Sequence, residues 1–318
     1  MADILVHTLV ADLVSKRIES RRIREGVQKK RSLYNLGAQG PDPLLFFNSF
    51  PGSKSTVFKD LGRIMHRQKT GEFLKKGFSK LKNISYDEEW LDLAVYLCGF
   101  ICHFTVDRII HPYVYWATQQ WIWTCDGTPA KTTHQELEIA LDVIYWKDIK
   151  KSKAYRTKTR SLVDIGRSWP KGVASYLSEA FKEVYGIETE PKELNRILSV
   201  FYRGLDLLYD PKGWKKAFAD WIESLTGGGI KDPKKPYPVE PDPAIDWANR
   251  RKRSWINPFN EGESHNEAVD DLLIQCEDSA VGHINAVFSR IFNNEDFDDL
   301  FYDISYITGL SCNNEQEE

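Results

Sequence analysis

Apolar residues recur along most of the chain at the three- and four-residue spacing of amphipathic helices, whereas the alternation typical of strands is almost absent. The pattern predicts a first helix from residue 2 into the twenties, a second over 55–82, and a third that begins near Glu88. Pro112 cannot donate a backbone hydrogen bond. We therefore expect the third helix to end or kink at His111, and the aromatic-rich stretch after it to form a separate helix.

Two capping boxes mark further helix starts, at 133–136 and 264–267. In each, a Ser or Thr hydroxyl and a Glu three residues later can satisfy the free N–H groups of a first helical turn. Amphipathic stretches over 173–184 and 194–205 predict two more helices. The sequence thus predicts an all-α fold, a multi-helix bundle that forms one structural domain. Its parts are a helical core over 1–226, a Pro/Gly-rich connector over 227–260, and a C-terminal helix over 261–318 that packs on the core and ends in a disordered tail after Cys312.

The third predicted helix carries three polar groups inside an apolar run. His103, Asp107 and His111 follow one another at four-residue steps, which keeps them on nearly one helix face. Burial of one unpaired polar group costs on the order of 2 kcal/mol or more, so three in line need strong partners. A metal ion is such a partner for histidine and aspartate.

The rise of the helix indicates more than one metal. A four-residue step rises about 6 Å, so His103 and His111 are about 12 Å apart along the axis. Ligand distances of roughly 2 Å rule out one ion for both, which gives Asp107 the middle position of a bridging carboxylate. His134 and Glu138 offer a second pair at this spacing. We therefore expect the bundle to enclose a multinuclear metal site in the 1–226 core.

Composition narrows the class of protein. With 42% hydrophobic residues, 318 residues are enough for a sizeable core. The net charge of −3 gives no reason to expect a stable nucleic-acid partner. Five cysteines without a CxxC pair favour a reducing compartment. No signal peptide is apparent, and the apolar run over 93–102 is shorter than the roughly 18 residues of a membrane span, so we expect a cytoplasmic protein.

Further motifs accompany the helical pairs, and the full ordered set is Asp3…His7, Gly40-Pro41-Asp42, a lone His66, Gly99-xxx-His103-xxx-Asp107-xxx-His111-Pro112 and His134-xxx-Glu138. These motifs occur in the order seen in the bacterial zinc-dependent phospholipase C family, which the first 142 residues or so resemble. That family shares its all-helical, tri-zinc fold with the S1/P1 nucleases. The resemblance implies a phosphodiester hydrolase that uses a metal-activated water.

The resemblance also implies a set of ligands for two or three Zn²⁺ ions. Asp42 corresponds to the family's aspartate beside the metal pair, a candidate general base. Mixed nitrogen and oxygen donors suit zinc, although they do not exclude Mn²⁺ or Fe²⁺. The implied sites are one held by His66, His103 and Asp107, a second held by His111, His134 and Glu138, and a third held by His7 and the bridging Asp107.

The chain departs from the family pattern at two positions. Secreted members complete the third site with a processed N-terminal tryptophan, which this chain lacks. We expect Asp3, one turn before His7, to replace it; alternatively the third site is weak or empty. Pro43 stands where those enzymes have an aromatic residue of the choline pocket. The resemblance therefore does not extend to phosphatidylcholine as the substrate.

Two other functions fit the same residues. A nuclease of the related fold could stack bases on aromatic residues near the site, although the same residues could line a lipid pocket or pack the core. A non-catalytic helical protein could use the metal cluster as a structural element. The main prediction remains a phospholipid or related phosphodiester substrate, with transient contact to a membrane surface. The aromatic candidates are Phe46, Phe47, Trp116 and Trp121.

Overall fold

The computed structural model describes residues 4–47, 57–120, 122–215, 238–260, 262 and 264–312, and it confirms the all-α fold. Strand is limited, in these residues, to two short antiparallel pairs, Ile122–Trp123 (β1) with Pro129–Ala130 (β2) and Trp255–Ile256 (β3) with Ser264–His265 (β4). The helices are α1 (Ile4–Ser15), α2 (Arg21–Lys29), α3 (Arg31–Gly37), α4 (Asp42–Leu45), α5 (Val57–Met65), α6 (Thr70–Asn83), α7 (Glu88–Gln119), α8 (His134–Lys150), α9 (Arg160–Val163), α10 (Lys171–Tyr185), α11 (Pro191–Leu208) and α12 (Val269–Phe292).

Helix α7 forms the centre of the bundle. It begins after Asp87, whose side chain accepts a hydrogen bond from the backbone N–H of Trp90. Helices α1, α2, α3, α6, α8, α10 and α12 all contact it. By length and composition alone α7 could cross a membrane, but 89% of its most apolar window is buried inside the protein. That burial is typical of the core helix of a bundle.

Two glycines let α3 approach α7 closely. A Cβ atom at Gly37 would collide with the carbonyl oxygen of Tyr96, and one at Gly99 would collide with the carbonyl oxygen of Tyr34. The backbones of the two helices are therefore in direct contact. Because the turn after α3 leads into Asp42, this contact sets the position of that carboxylate relative to α7.

The predicted first and second helices are each two helices. The first ends at Ser15, and α2 begins only at Arg21. The second breaks between Met65 and Thr70, where Lys69 has a left-handed backbone with φ of 55°. Apolar spacing continues across both breaks, so the pattern alone could not locate them.

The third predicted helix does not end at His111, because α7 continues through Pro112 to Gln119. The proline removes one helical hydrogen bond, but tertiary contacts hold the next turn in place. Tyr113 is buried, donates a hydrogen bond to the carbonyl of Trp247 and packs against the Trp255 ring. The predicted separate helix after residue 112 is therefore wrong.

One predicted capping box is confirmed and the other is wrong. The Thr133 hydroxyl accepts from the N–H of Glu136, whose carboxylate accepts from the N–H of Thr133. At the C-terminal helix, Ser264 and His265 instead form β4, so α12 begins at Val269. Pairing of β4 with β3 and stacking of His265 on Trp255 outweigh the local capping signal.

Several predictions fall outside the described residues. They concern Asp3, Trp121, the connector up to residue 237 and the tail after Cys312. The division at residues 226 and 260 stays a prediction.

Candidate metal centre

Eight of the nine predicted site residues lie close together around the middle of α7. Seven of them are buried or nearly so, and the His134 side chain is the most open at 33% exposure. The set comprises His7 on α1, Asp42 at the start of α4, His66 just after α5, His103, Asp107 and His111 on α7, and His134 and Glu138 on α8.

Asp107 is the hub of the centre. Its Oδ1 lies 3.2 Å from Nε2 of His7, and its Oδ2 lies 3.2 Å from Nε2 of His103. The same Oδ2 is 3.6 Å from Nε2 of His66 and 3.7 Å from Nδ1 of His111. Four imidazoles from three parts of the chain thus surround one carboxylate.

A second donor group lies one turn further along α7. Nε2 of His134 is 2.7 Å from Oε1 of Glu138, and Nε2 of His111 is 3.5 Å from the same oxygen. Nδ1 of His111 is 2.8 Å from the carbonyl oxygen of Tyr306. Donation to that carbonyl selects the tautomer whose Nε2 lone pair faces Glu138.

A third donor group joins Asp42, His66 and His103. Nε2 of His66 lies 3.1 Å from Oδ1 of Asp42, and its Nδ1 lies 2.6 Å from the carbonyl oxygen of Gly62. The backbone contact orients the ring so that Nε2 points at the carboxylates. The Asp42 carboxylate is therefore close enough to His66 for both to bind the same ion.

Burial and mutual contact set the protonation of these groups. Burial tends to raise the pKa of Asp107, but the imidazoles of His103 and His111 hold it well below its usual range. Contact with His66 likewise lowers the pKa of Asp42 against the effect of burial. Burial lowers the pKa of His103. At neutral pH the carboxylates are thus ionised and His103 is neutral, which are the forms that bind metal.

The residues present fit zinc. Among the described residues, neither ring nitrogen of the fully buried His103 has a hydrogen-bond partner of good geometry, although a buried imidazole normally has one. The possible ligand atoms lie within 4.8 Å of one another in each of three donor groups, His7 with His103 and Asp107, Asp42 with His66 and His103, and His111 with His134 and Glu138. Neutral imidazoles combined with carboxylates match the donor preference of zinc.

Gly40 is required beneath the ring of His103. Its φ is +51°, and a Cβ there would collide with that imidazole. The turn between α3 and α4 can therefore pass against the ring only with glycine at this position. The Gly40-Pro41-Asp42 motif thus has a steric role as well as supplying Asp42.

The C-terminal segment from Phe301 to Cys312, termed here the C-terminal strap, contacts the centre and was not predicted to do so. The Tyr306 ring packs against the rings of His66 and His103, with centroids 5.7 and 5.5 Å away. Its N–H donates to the carbonyl of His66 at 2.8 Å. The backbone hydrogen bond leaves no signal in the sequence, and the Tyr306 ring belongs to no recognised motif.

Asp142 on α8 supports the position of His7. Its buried carboxylate accepts hydrogen bonds from the N–H groups of Leu5 and Val6, at 3.2 and 2.8 Å. A carboxylate at a helix N-terminus satisfies free donors and complements the helix dipole. Asp142 thereby attaches the start of α1, and with it His7, to α8.

The centre opens into a cavity of about 270 Å³. Asp42, Asp107 and Glu138 lie on its wall with three of the histidines, and Leu45, Arg63, Arg67, Tyr115 and Ile307 complete its lining. Of the predicted aromatic candidates, Phe46 and Phe47 are buried against Phe201 and Phe58, and Trp116 packs on Tyr113. None of these three lines the cavity.

Comparison with known proteins points to one family. The family model described as zinc dependent phospholipase C matches residues 6–186, which is more than half of the chain and includes every described candidate ligand. Searches of curated proteins and of solved structures gave no match. On the extent of the family match, the chain belongs to the zinc-dependent phospholipase C family.

Proposed function

We propose that this protein hydrolyses a phosphodiester bond of a phospholipid, using two or three zinc ions. The observation that carries the proposal is the convergence of three donor groups on one open cavity, inside the segment that matches the family. A cytoplasmic location remains part of the proposal.

Of the residues in these groups, Asp42 is left for proton transfer, and the others divide among the ions as the family resemblance implies. His66, His103 and Asp107 would hold one zinc, and His111, His134 and Glu138 a second. His7 with the second oxygen of Asp107 offers a third position. When bound, zinc acts as a Lewis acid on a phosphoryl oxygen and lowers the pKa of a water molecule toward neutrality.

Asp42 is the residue best placed to handle a proton. Its carboxylate lies on the cavity wall and is ionised at neutral pH. It can therefore accept a hydrogen bond or a proton from a water that enters the cavity. In the structure the same carboxylate lies 3.1 Å from Nε2 of His66, which places it beside the residues that would hold zinc.

Open access to the donor groups argues against a purely structural cluster. Structural zinc sites are usually closed by protein ligands, whereas catalytic sites keep a position for water. Here a cavity large enough for a headgroup reaches Asp107 and Glu138. The nuclease alternative lacks support from the aromatic candidates that the structure describes, since those pack the core.

Metal analysis paired with a substrate panel tests the proposal. The protein would be stripped with chelator, reloaded with Zn²⁺, and assayed on short-chain phospholipids and on single-stranded oligonucleotides. We expect about two or three zinc per chain and zinc-dependent release of a phosphorylated headgroup. Cleavage of oligonucleotides alone would indicate a nuclease, and zinc binding without hydrolysis would indicate a structural cluster.

A further inference from the structure

Residues 147–160, termed here the basic segment, carry a strong excess of positive charge. The segment holds seven of the chain's 43 Lys and Arg residues but only one of its 46 Asp and Glu residues. Its formal charge is therefore +6, whereas the rest of the chain carries −9. Such a division creates a local positive field that the net charge of −3 conceals.

Three cations of the basic segment are neutralised within the protein. Lys147 pairs with Glu240 at 3.3 Å, and Lys150 pairs with Asp12 at 2.8 Å. Both lysines lie in the last turn of α8, where the helix dipole also favours positive charge. Arg160 pairs with two carboxylates. Internal contacts therefore account for these three.

The other four cations of the segment are exposed, and they form no ion pair with a carboxylate in the part of the chain that the structure describes. A lone exposed cation is simply solvated, but these four fall within eight residues of the chain. Their charge is available to a partner outside the protein. They are Lys151, Lys153, Arg156 and Lys158.

The local fold presents these cations on an ordered turn. A short 3₁₀ helix (Ala154–Arg156) is anchored by the buried side chain of Ala154 and contacts α8. The N–H of Arg156 donates to the carbonyl of Lys153 at 3.0 Å. Both cationic groups also face the ring of Tyr155, at 5.5 and 5.8 Å from its centroid. The charges are thus held together on one surface.

This surface is separate from the metal centre. His134 begins α8 at the centre, and Lys151 follows the other end of the same helix. The 17 residues of α8 place the two about 25 Å apart along its axis. A partner bound at the basic segment therefore leaves the cavity open.

The chemistry of the segment suits a fluid anionic surface better than a nucleic acid. Three of the four available cations are lysines, whose ammonium groups act as point charges without a fixed hydrogen-bonding geometry. Anionic lipids diffuse laterally, so they can gather beneath such charges whatever their spacing. Bases of a single strand instead stack on free aromatic faces. Tyr155 is the single aromatic residue of the segment, and two cations already lie against its ring.

We infer that the basic segment is a docking surface for anionic lipid bilayers. The choice of a bilayer rests on the proposed function, because the lipid substrate resides there. Each Lys or Arg near such a surface contributes about fivefold in affinity, so four contribute up to roughly several hundredfold if all reach it. The surface potential extends only about 8 Å at physiological salt, and binding should weaken as salt is raised.

Vesicle sedimentation tests the docking surface. Zinc-loaded full-length protein would be mixed with vesicles of phosphatidylcholine alone, or with about 30% phosphatidylserine added, at low and at high salt. We expect partition into the anionic vesicles to be at least about tenfold stronger at low salt, and to fall as salt is raised. A parallel sample with chelator should bind equally well, because the segment lies away from the metal centre.

A variant without the four available charges should lose at least about tenfold in this partition. Its zinc content, Tm and hydrolysis of a monomeric short-chain phospholipid should not change, because the substituted side chains are exposed and distant from the cavity. The variant is K151Q/K153Q/R156Q/K158Q.

The matched control removes the same charge, one arginine and three lysines, from exposed positions elsewhere. Each of its cations is 64–84% exposed and has a carboxylate oxygen at 2.6–2.8 Å. Because those charges are already paired, partition should fall by less than about threefold. The control is R21Q/K171Q/K182Q/K192Q.

The outcomes separate the inference from the proposed function. Equal partition of the unmodified protein into both kinds of vesicle overturns the inference, as does an equal loss in the two variants, which would show an effect of net charge alone. Loss of binding with chelator, in protein that stays folded, would assign the binding to the metal centre. Tighter binding to a single-stranded oligonucleotide than to anionic vesicles, lost in the first variant, would assign the segment to nucleic acid. None of these results depends on hydrolysis, so protein that binds vesicles but cleaves no phospholipid overturns the proposed function alone.

Discussion

Replacement of Asp107 by Asn is the sharpest perturbation of the metal centre. The change keeps the shape of the side chain and removes its charge. Asp107 is 2% exposed, and its two oxygens lie within 3.7 Å of four imidazoles. An amide presents one oxygen instead of two and cannot bridge two cations as a carboxylate does.

The substitution should lower zinc affinity more than removal of a residue that only hydrogen-bonds to a ligand. Residues of that kind contribute about 10- to 100-fold in metal affinity, so loss of a ligand shared by two ions should lower the affinity by more than about 100-fold. A 100-fold loss corresponds to about 2.7 kcal/mol of zinc-linked stabilisation. For a chain of this size that predicts a fall of roughly 5 °C in the increase in Tm that zinc produces.

The assay measures bound zinc, phosphodiesterase activity and Tm, each with and without chelator. Comparison of the two Tm values removes any effect of the substitution on the fold itself. Asp92→Asn is the matched control, because Asp92 lies on the same helix, pairs with Lys30 at 2.6 Å and is about 22 Å from Asp107. Unchanged zinc content and activity in the Asp107 variant would refute the bridging role, and equal losses in both variants would indicate damage to α7.

Three further changes test the surroundings of the centre. Gly40→Ala should lower both the free energy of unfolding and the zinc content, because the new Cβ would collide with the buried imidazole of His103. Gly186→Ala is the control, since Gly186 has a φ of +73° but open space around it. The control should lower the free energy of unfolding in urea by only about 1–2 kcal/mol and leave the zinc content unchanged. Tyr306→Ala should cost about 3–5 kcal/mol in the same assay, and a loss below about 1 kcal/mol would contradict the packing described for the C-terminal strap. Because Asp42 raises the pKa of His66 against the effect of burial, their pair stabilises the zinc-free protein fully below the ordinary histidine pKa of about 6.5 and loses that contribution as pH rises through the raised pKa. Zinc competes with the same proton, so zinc affinity measured by calorimetry should fall as pH decreases through that range, and affinity independent of pH would contradict the assignment.

The sequence predicts the hub of the site because its evidence is local. The spacing of His103, Asp107 and His111 depends only on the rise of a helix, and the pair His134 and Glu138 depends on the same rule. Burial of such groups in an apolar helix costs free energy unless they pair with one another or with a ligand. These arguments need no tertiary information, and the structure brings the five residues together.

The predicted helix boundaries failed where tertiary contacts outweigh local signals. Pro112 is a helix breaker by its chemistry, but burial of Tyr113 against Trp255 keeps α7 helical beyond it. Ser264 begins a capping motif, but pairing of β4 with β3 removes those residues from the helix. Neither partner strand nor packing surface is visible in a local window of sequence.

The C-terminal strap shows why part of the site lies beyond the reach of motif analysis. It lies outside residues 6–186, yet it contacts His111 through a carbonyl oxygen and His66 through an N–H group. Those two histidines belong to different donor groups, so one short backbone segment fixes the positions of the two groups relative to each other. Backbone donors and acceptors are the same for every residue type, and therefore no pattern of side chains could reveal these two hydrogen bonds. The segment that matches the family supplies the candidate ligands, whereas the orientation of two of them depends on residues that the match does not include.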